Sequence, residues 1–175
     1  MENLVQKAKE GDKDAFSEII LEIKKELYYL SKAKLNSEDD IADCIQDTII
    51  ISYQNIKKLK ENSYFKTWII KILINQCNKR LRNNKKQNNY IENIPIENCM
   101  IKKELESEKI DFDFLIKDLQ SDEKTILTLF YRFEYTIKEI SIILNKNENT
   151  IKSKIQRARN KLKNKFKGEE NDRYW

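Results

Sequence analysis

Lys71, Asn75, Asn78 and Arg82, at spacings of four, three and four, share one side of a helix. They make a cationic stripe interrupted by amides, flanked by Lys79 and Arg80, with Tyr64, Phe65 and Trp68 at its entrance. Rings beside cations and amides suit a single-stranded nucleic acid, because bases stack on rings while cations hold phosphates. Each stacked base contributes about 1–3 kcal/mol, and drawing a base from a duplex costs a few kcal/mol, so two captured bases offset local opening. Core placement is the alternative for Phe65 and Trp68.

A second set lies near the C-terminus. Lys152, Ser153, Gln156, Arg157 and Arg159 project away from the apolar line Ile151, Ile155, Ala158, Leu162 and Phe166. Such a cluster reaches major-groove edges, Arg or Lys suiting guanine and Gln suiting adenine. Lys154, Lys161, Lys163 and Lys165 suit phosphates, which give affinity without sequence choice. A lysine-rich surface helix of a bundle is the alternative.

A third set is acidic. Asp40, Asp43 and Asp47 lie on one side of a helix with Gln46 and Ile50, opposite the line Ile41, Ile45, Ile49, Tyr53 and Ile56. An apolar residue among exposed carboxylates suits a protein partner with basic groups. A solvated acidic face has the same spacing.

Other chemistry finds little support. The chain has no histidine, which removes imidazole bases and most zinc sites. Cys44, Cys77 and Cys99 are far apart, without C-x-x-C spacing, and read as reduced thiols, Cys77 in the core. We expect no cofactor, no metal, no small-molecule substrate and no catalytic residue. The net charge of +5 hides a division: Lys66–Gln87 and Lys146–Lys167 together carry +15 and the remainder −10. Two basic segments in an acidic frame fit a polyanion partner. No apolar run is long enough for a membrane span, so a soluble, cytoplasmic protein is expected.

Two glycines and one proline among 175 residues point to an all-α chain. Asp12 caps a helix to about Leu35, with Phe16, Ile19, Ile20, Ile23, Leu27 and Leu30 inward. Ser37 with Asp40 opens another, and Ser63 starts a fourth through about Arg82. The polar run Asn83–Asn89 and Pro95 mark a flexible linker, with Leu105–Ile110 a further short helix. Beyond it, Asp111–Leu119 is helical and Ser121 caps the next helix. Thr136 and Glu139 form a capping box, Ser141 sits where two helices cross, and Asn145 takes a left-handed turn before the last helix, Asn149 to Phe166. A short helix, a tight turn and a longer basic helix form a helix-turn-helix.

These segments resemble a known family. Gly11–Phe16, Asp39–Thr48 and Ser63–Ile69 are similar to domain 2 of bacterial extracytoplasmic-function sigma factors, and Leu119–Leu162 to domain 4. The resemblance implies two small helical domains, at 1–82 and 111–167, joined by a linker at 83–110 and followed by a tail at 168–175. It implies a factor that directs RNA polymerase core to promoters, with the β′ and β subunits, promoter DNA and an anti-sigma factor as partners. Asp40, Asp43, Gln46, Asp47 and Ile50 would meet the polymerase. Tyr64, Phe65, Trp68, Lys71, Asn75, Asn78, Lys79 and Arg82 would open and read the −10 element, and the last helix the −35 element. The chain departs from the pattern at Leu59, Ile69, Ile70 and Asn149. A stand-alone helix-turn-helix regulator, which needs no acidic docking helix, is the competing expectation.

Overall fold

Helix boundaries follow the capping residues. In the computed structural model, which describes residues 1–88 and 112–172 (side chains of 85–88 and 165–172 excepted), α1 spans Glu2–Glu10. It ends at Gly11, whose φ of 109° is in the left-handed region that favours glycine. The Asp12 carboxylate then accepts the Asp14 and Ala15 N–H groups and starts α2, Lys13–Lys32. Ser37 accepts the Asp40 N–H and starts α3, Glu38–Asn55. Two single 3-10 turns lead into α4, Phe65–Asn88, which continues six residues past the end expected from the sequence. The second half holds α5, Phe112–Ile116, α6, Ser121–Leu127, a wider π-type turn at Thr128–Arg132, α7, Ile137–Leu144, and α8, Glu148–Asp172. No strand occurs among the described residues, so the all-α expectation stands. Asp111, Pro95, Cys99, the Leu105–Ile110 helix and most of the expected linker lie outside them, as does the side chain of Phe166.

In the first half, α2, α3 and α4 pack on one another and α1 packs on α2. Phe16, Ile19, Ile23, Leu27 and Leu30 of α2 and Phe65, Ile69, Leu73 and Cys77 of α4 are buried in the core, where the two helices pack together. Each such side chain removed from water contributes about 1.5–3 kcal/mol. The core line of α3 differs from the expected one. Ile41, Cys44, Thr48 and Ser52 are buried, whereas Ile45 and Ile49 are half-buried and Tyr53 is exposed. Thr48 and Ser52 tolerate burial because their hydroxyls donate to the Cys44 and Ile49 carbonyls, at 2.7 and 2.9 Å. A hydrophobic-period argument overlooks hydroxyl residues that satisfy themselves on their own helix.

In the second half, α6 and α7 both pack on α8. Ser121 is not the cap of α6, contrary to expectation. Gln120 is, its N–H donating to the Glu123 carboxylate at 3.2 Å, and the Ser121 hydroxyl is buried with no hydrogen-bond partner among the described residues. The halves also touch: α7 lies on α4, and the turn at Thr128–Arg132 lies on α2.

Candidate nucleic-acid interface

The helix-turn-helix is built as its sequence requires. Thr136 and Glu139 bond reciprocally, Glu139 N–H to Thr136 Oγ1 at 3.2 Å and Thr136 N–H to the Glu139 carboxylate at 2.8 Å. Asn145 ends α7 at φ 50° and ψ 49°, and the Ser141 carbonyl accepts the N–H groups of both Asn145 and Lys146. Asn147 is a cap the sequence pattern concealed: its side-chain oxygen accepts the Thr150 N–H at 2.7 Å and starts α8.

Ile151, Ile155 and Ala158 face the core with Leu162 half-buried beside them. Lys152, Ser153, Gln156, Arg157 and Arg159 are all exposed, on a continuous arc of α8 that Asn160 and Lys163 extend. Asn160, which Gln156 contacts at 3.3 Å, was missed from sequence; its position between Arg157 and Lys163 was the available signal. Arg159 rests over the Tyr131 ring, 5.4 Å from its centroid. Two lysines expected on phosphates are engaged internally: Lys154 meets Asp122 at 3.4 Å and Lys161 meets Glu123 at 2.7 Å.

The stripe of α4 faces solvent, opposite the core. Asn75, Asn78, Lys79 and Arg82 are exposed, and Lys71 is half-buried among them. Tyr64 stands at the entrance with 55% of its surface open. Trp68 is half-buried, one side on the core cluster. Phe65 departs from the expected set: it has no exposed surface, its ring packs 5.8 Å from that of Trp68, and it supports the indole instead of offering a face to a base. Arg80 turns away from the stripe. It donates to Asp40 at 2.7 Å and pairs with Asp43, while Asn84 donates to Asp40 at 2.9 Å.

The acidic face of α3 is therefore divided. Asp40 and Asp43 are bound to α4, whereas Gln46 and Asp47 are exposed and Ile50 leaves 46% of its surface open. Ile50 is thus an exposed apolar side chain beside an exposed carboxylate and amide.

The thiols of Cys44 and Cys77 are both buried. Burial, followed by the neighbouring Cys44, pushes the Cys77 thiol up to about 12, and burial raises Cys44 too. Both stay protonated at neutral pH. Among the described residues no group of three or more Cys, Asp or Glu is placed to hold a metal ion, and no helix is long and apolar enough to cross a membrane.

Comparison with known proteins accounts for this layout. Residues 19–87 match the family described as Sigma-70 region 2, and residues 110–162 match Sigma-70, region 4. The chain is 29% identical over 180 residues to the ECF RNA polymerase sigma-E factor of Haemophilus influenzae, covering 93% of each protein. It is 26% identical over 181 residues to the ECF RNA polymerase sigma factor SigW of Bacillus subtilis, covering 93% of this chain and 95% of that one. The fold is similar to the sigma factor RpoE solved with the anti-sigma factor NepR from Bartonella quintana, with a TM-score of 0.76 at 22% identity over 87% of this chain and 96% of that one. It is also similar to CnrH solved with the cytosolic domain of CnrY, with a TM-score of 0.69 at 16% identity over 95% of this chain and 97% of that one. With both regions present in order, and relatives matched along almost their whole length, the chain belongs to the sigma-70 family as a transcription-initiation factor of the extracytoplasmic-function type.

Proposed function

We propose that this chain binds RNA polymerase core and places it at promoters through three separate surfaces. Gln46, Asp47 and Ile50 of α3 dock on the β′ subunit, with Asp40 and Asp43 holding α3 to α4 through Arg80. Lys71, Asn75, Asn78, Lys79 and Arg82 hold the opened −10 strand, Tyr64 and Trp68 supplying rings. Lys152, Ser153, Gln156, Arg157 and Arg159 read the −35 duplex. The family is non-catalytic, and the chain acts as a subunit in the cytoplasm, the polymerase keeping the chemistry. Relatives solved with anti-sigma factors support a similar antagonist here.

The observation that supports this reading is the pair of exposed cationic, amide-bearing faces on one chain. The α4 stripe suits an unpaired strand and the α8 arc suits a duplex groove. Reconstitution with core polymerase and mapping of transcription starts tests it. Wild-type protein directs initiation at discrete sites, and Asp47→Arg lowers core binding at least about tenfold, equivalent to 1.4 kcal/mol, without loss of helicity. Tight, specific promoter binding by the free chain, with no effect on core polymerase, would identify a stand-alone regulator instead.

A further inference from the structure

Tyr64, the exposed ring at the entrance to the α4 stripe, stands on a stretch with no apolar anchor. Leu59 and Phe65 are buried, but between them Lys60, Glu61, Ser63 and Tyr64 are exposed and Asn62 is half-buried. Such a segment is ordered by its hydrogen bonds, not by burial. The Tyr64 N–H donates to the Glu61 carbonyl at 3.2 Å and the Phe65 N–H to the Asn62 carbonyl, closing the 3-10 turn Asn62–Tyr64. Those bonds shape the turn without tying it to the body of the protein.

The tie comes from α1, 53 and 56 positions earlier in the chain. The Lys9 ammonium donates to Asn62 Oδ1 at 3.0 Å, and Asn62 Nδ2 donates to Gln6 Oε1, also at 3.0 Å. Gln6 and Lys9, three apart, are neighbours on one side of α1, so a single carboxamide spans both. Gln6 Nε2 donates in turn to Glu10 Oε1 at 2.7 Å, which keeps the Gln6 oxygen toward Asn62. Apolar packing sets α1 in place for this grip. Val5 and Ala8 are buried, and α1 packs on α2 and on both 3-10 turns, Ile56–Lys58 and Asn62–Tyr64. The left-handed Gly11 and the Asp12 cap then fix the angle at which α1 meets α2. All of α1 precedes residues 19–87, which match sigma-70 region 2, so that match assigns it no role.

We propose that α1 is a positioning element for the aromatic entrance of the α4 stripe, Lys9 and Gln6 gripping the Asn62 carboxamide and so holding the turn that presents Tyr64 to the opened strand. This rests on the reading of Tyr64 as a −10 contact. A ring that stacks on a base contributes most when it is already in place. Ordering a loose turn and its side chain at the moment of binding subtracts from the stacking energy, whereas a turn ordered in the free protein has met that cost beforehand. Lys9, Gln6 and Asn62 are then positioning residues: they act on the strand through Tyr64. Each hydrogen bond is modest alone, but the carboxamide engages both its oxygen and its nitrogen, so it cannot swing without losing two bonds.

Full-length chain assembled with core polymerase, and single-stranded DNA carrying the −10 sequence found by mapping transcription starts, test this, with hydrogen exchange on the free chain alongside. Asn62→Ala weakens strand binding about three- to tenfold, with core affinity and helicity unchanged. Lys9→Met combined with Gln6→Ala strips both partners while leaving the loop sequence intact, and gives the same loss. Adding Asn62→Ala to that pair changes binding by less than about twofold, because the grip is already gone. In both variants the amides of residues 60–64 exchange about three- to tenfold faster. The decisive cycle uses Tyr64→Ala. With the ring removed, Asn62→Ala costs less than about twofold, since nothing is left to position, whereas a general loss of structure would persist. A full loss from Asn62→Ala in that background, unchanged exchange at 60–64, or wild-type strand binding by Asn62→Ala beside a defective Tyr64→Ala overturns the proposal. If Tyr64→Ala itself binds the strand as wild type does, it is the −10 assignment of Tyr64 that fails, and the positioning role falls with it.

Discussion

Helices α4 and α8 both carry a cationic face crossed by amides, but their backs differ. On α8 the buried residues Ile151, Ile155 and Ala158 form one narrow line, leaving a broad arc free. On α4 burial extends around much of the helix, from Phe65 and Ile69 through Cys77 to Ile74 and Thr67, leaving a narrower stripe. The first is a surface helix with a free outer side. The second is the spine of one half and a seat for the other. A cationic face on a spine is held rigidly, at the cost that its residues also answer to packing.

The largest expected effect follows from that difference. Leu73, with no exposed surface at the centre of the α4 core, should cost about 2–5 kcal/mol when truncated in Leu73→Ala, read by thermal or urea unfolding. Arg157→Ala on exposed α8 should stay within about 0.5 kcal/mol in the same assay. Equal losses from the two would erase the distinction between spine and surface helix.

The same contrast explains what was legible in the sequence. Around α7 and α8 each local rule had one outcome: the Thr136–Glu139 box, the left-handed Asn145 and, as far as Leu162, the single apolar line appear as read. Capping gave the starts of α2 and α3 for the same reason. Legibility failed where burial was supported by something other than an apolar side chain nearby in sequence. Thr48 and Ser52 enter the core because their hydroxyls bond their own helix. Ser121 yields the cap to Gln120 because Glu123 reaches back to it. Lys34 is buried beside Asp122, 88 positions along the chain, a pairing that no local rule reaches. Phe65 and Trp68 look alike as aromatics three apart, and packing alone separates the ring that is sealed from the one left half-open.

The intermediate prediction separates the two faces by the DNA they meet. Asn75→Ala on the α4 stripe and Arg157→Ala on the α8 arc should each cost about 1–3 kcal/mol, a roughly five- to 150-fold loss in promoter-directed initiation. The template should tell them apart. On a promoter already opened by mismatches around −10, a defect in strand opening recovers, because the cost of unpairing has been removed. Arg157→Ala should show no such recovery, its contact being with duplex at −35. Recovery of both variants, or of neither, would mean that α4 and α8 do not divide the work between strand and duplex.

The smallest effect concerns how α8 is aimed. Asn145 holds φ 50° at the turn, where a residue with an ordinary Cβ costs about 1–2 kcal/mol and Asn is tolerated because its short amide bonds locally. Asn145→Ala should therefore lower stability by about 1 kcal/mol, whereas Asn145→Gly, free of that Cβ strain, should lie within about 0.5 kcal/mol of wild type. Since Asn145 is distant in sequence from the stripe and belongs to the turn that sets the α7–α8 angle, Asn145→Ala should weaken −35-dependent initiation more than initiation from a template already open at −10. Glycine should restore it. If alanine and glycine behave alike, the turn is not under conformational constraint, and the aim of α8 is set by Ile151 and Ile155 packing on the core.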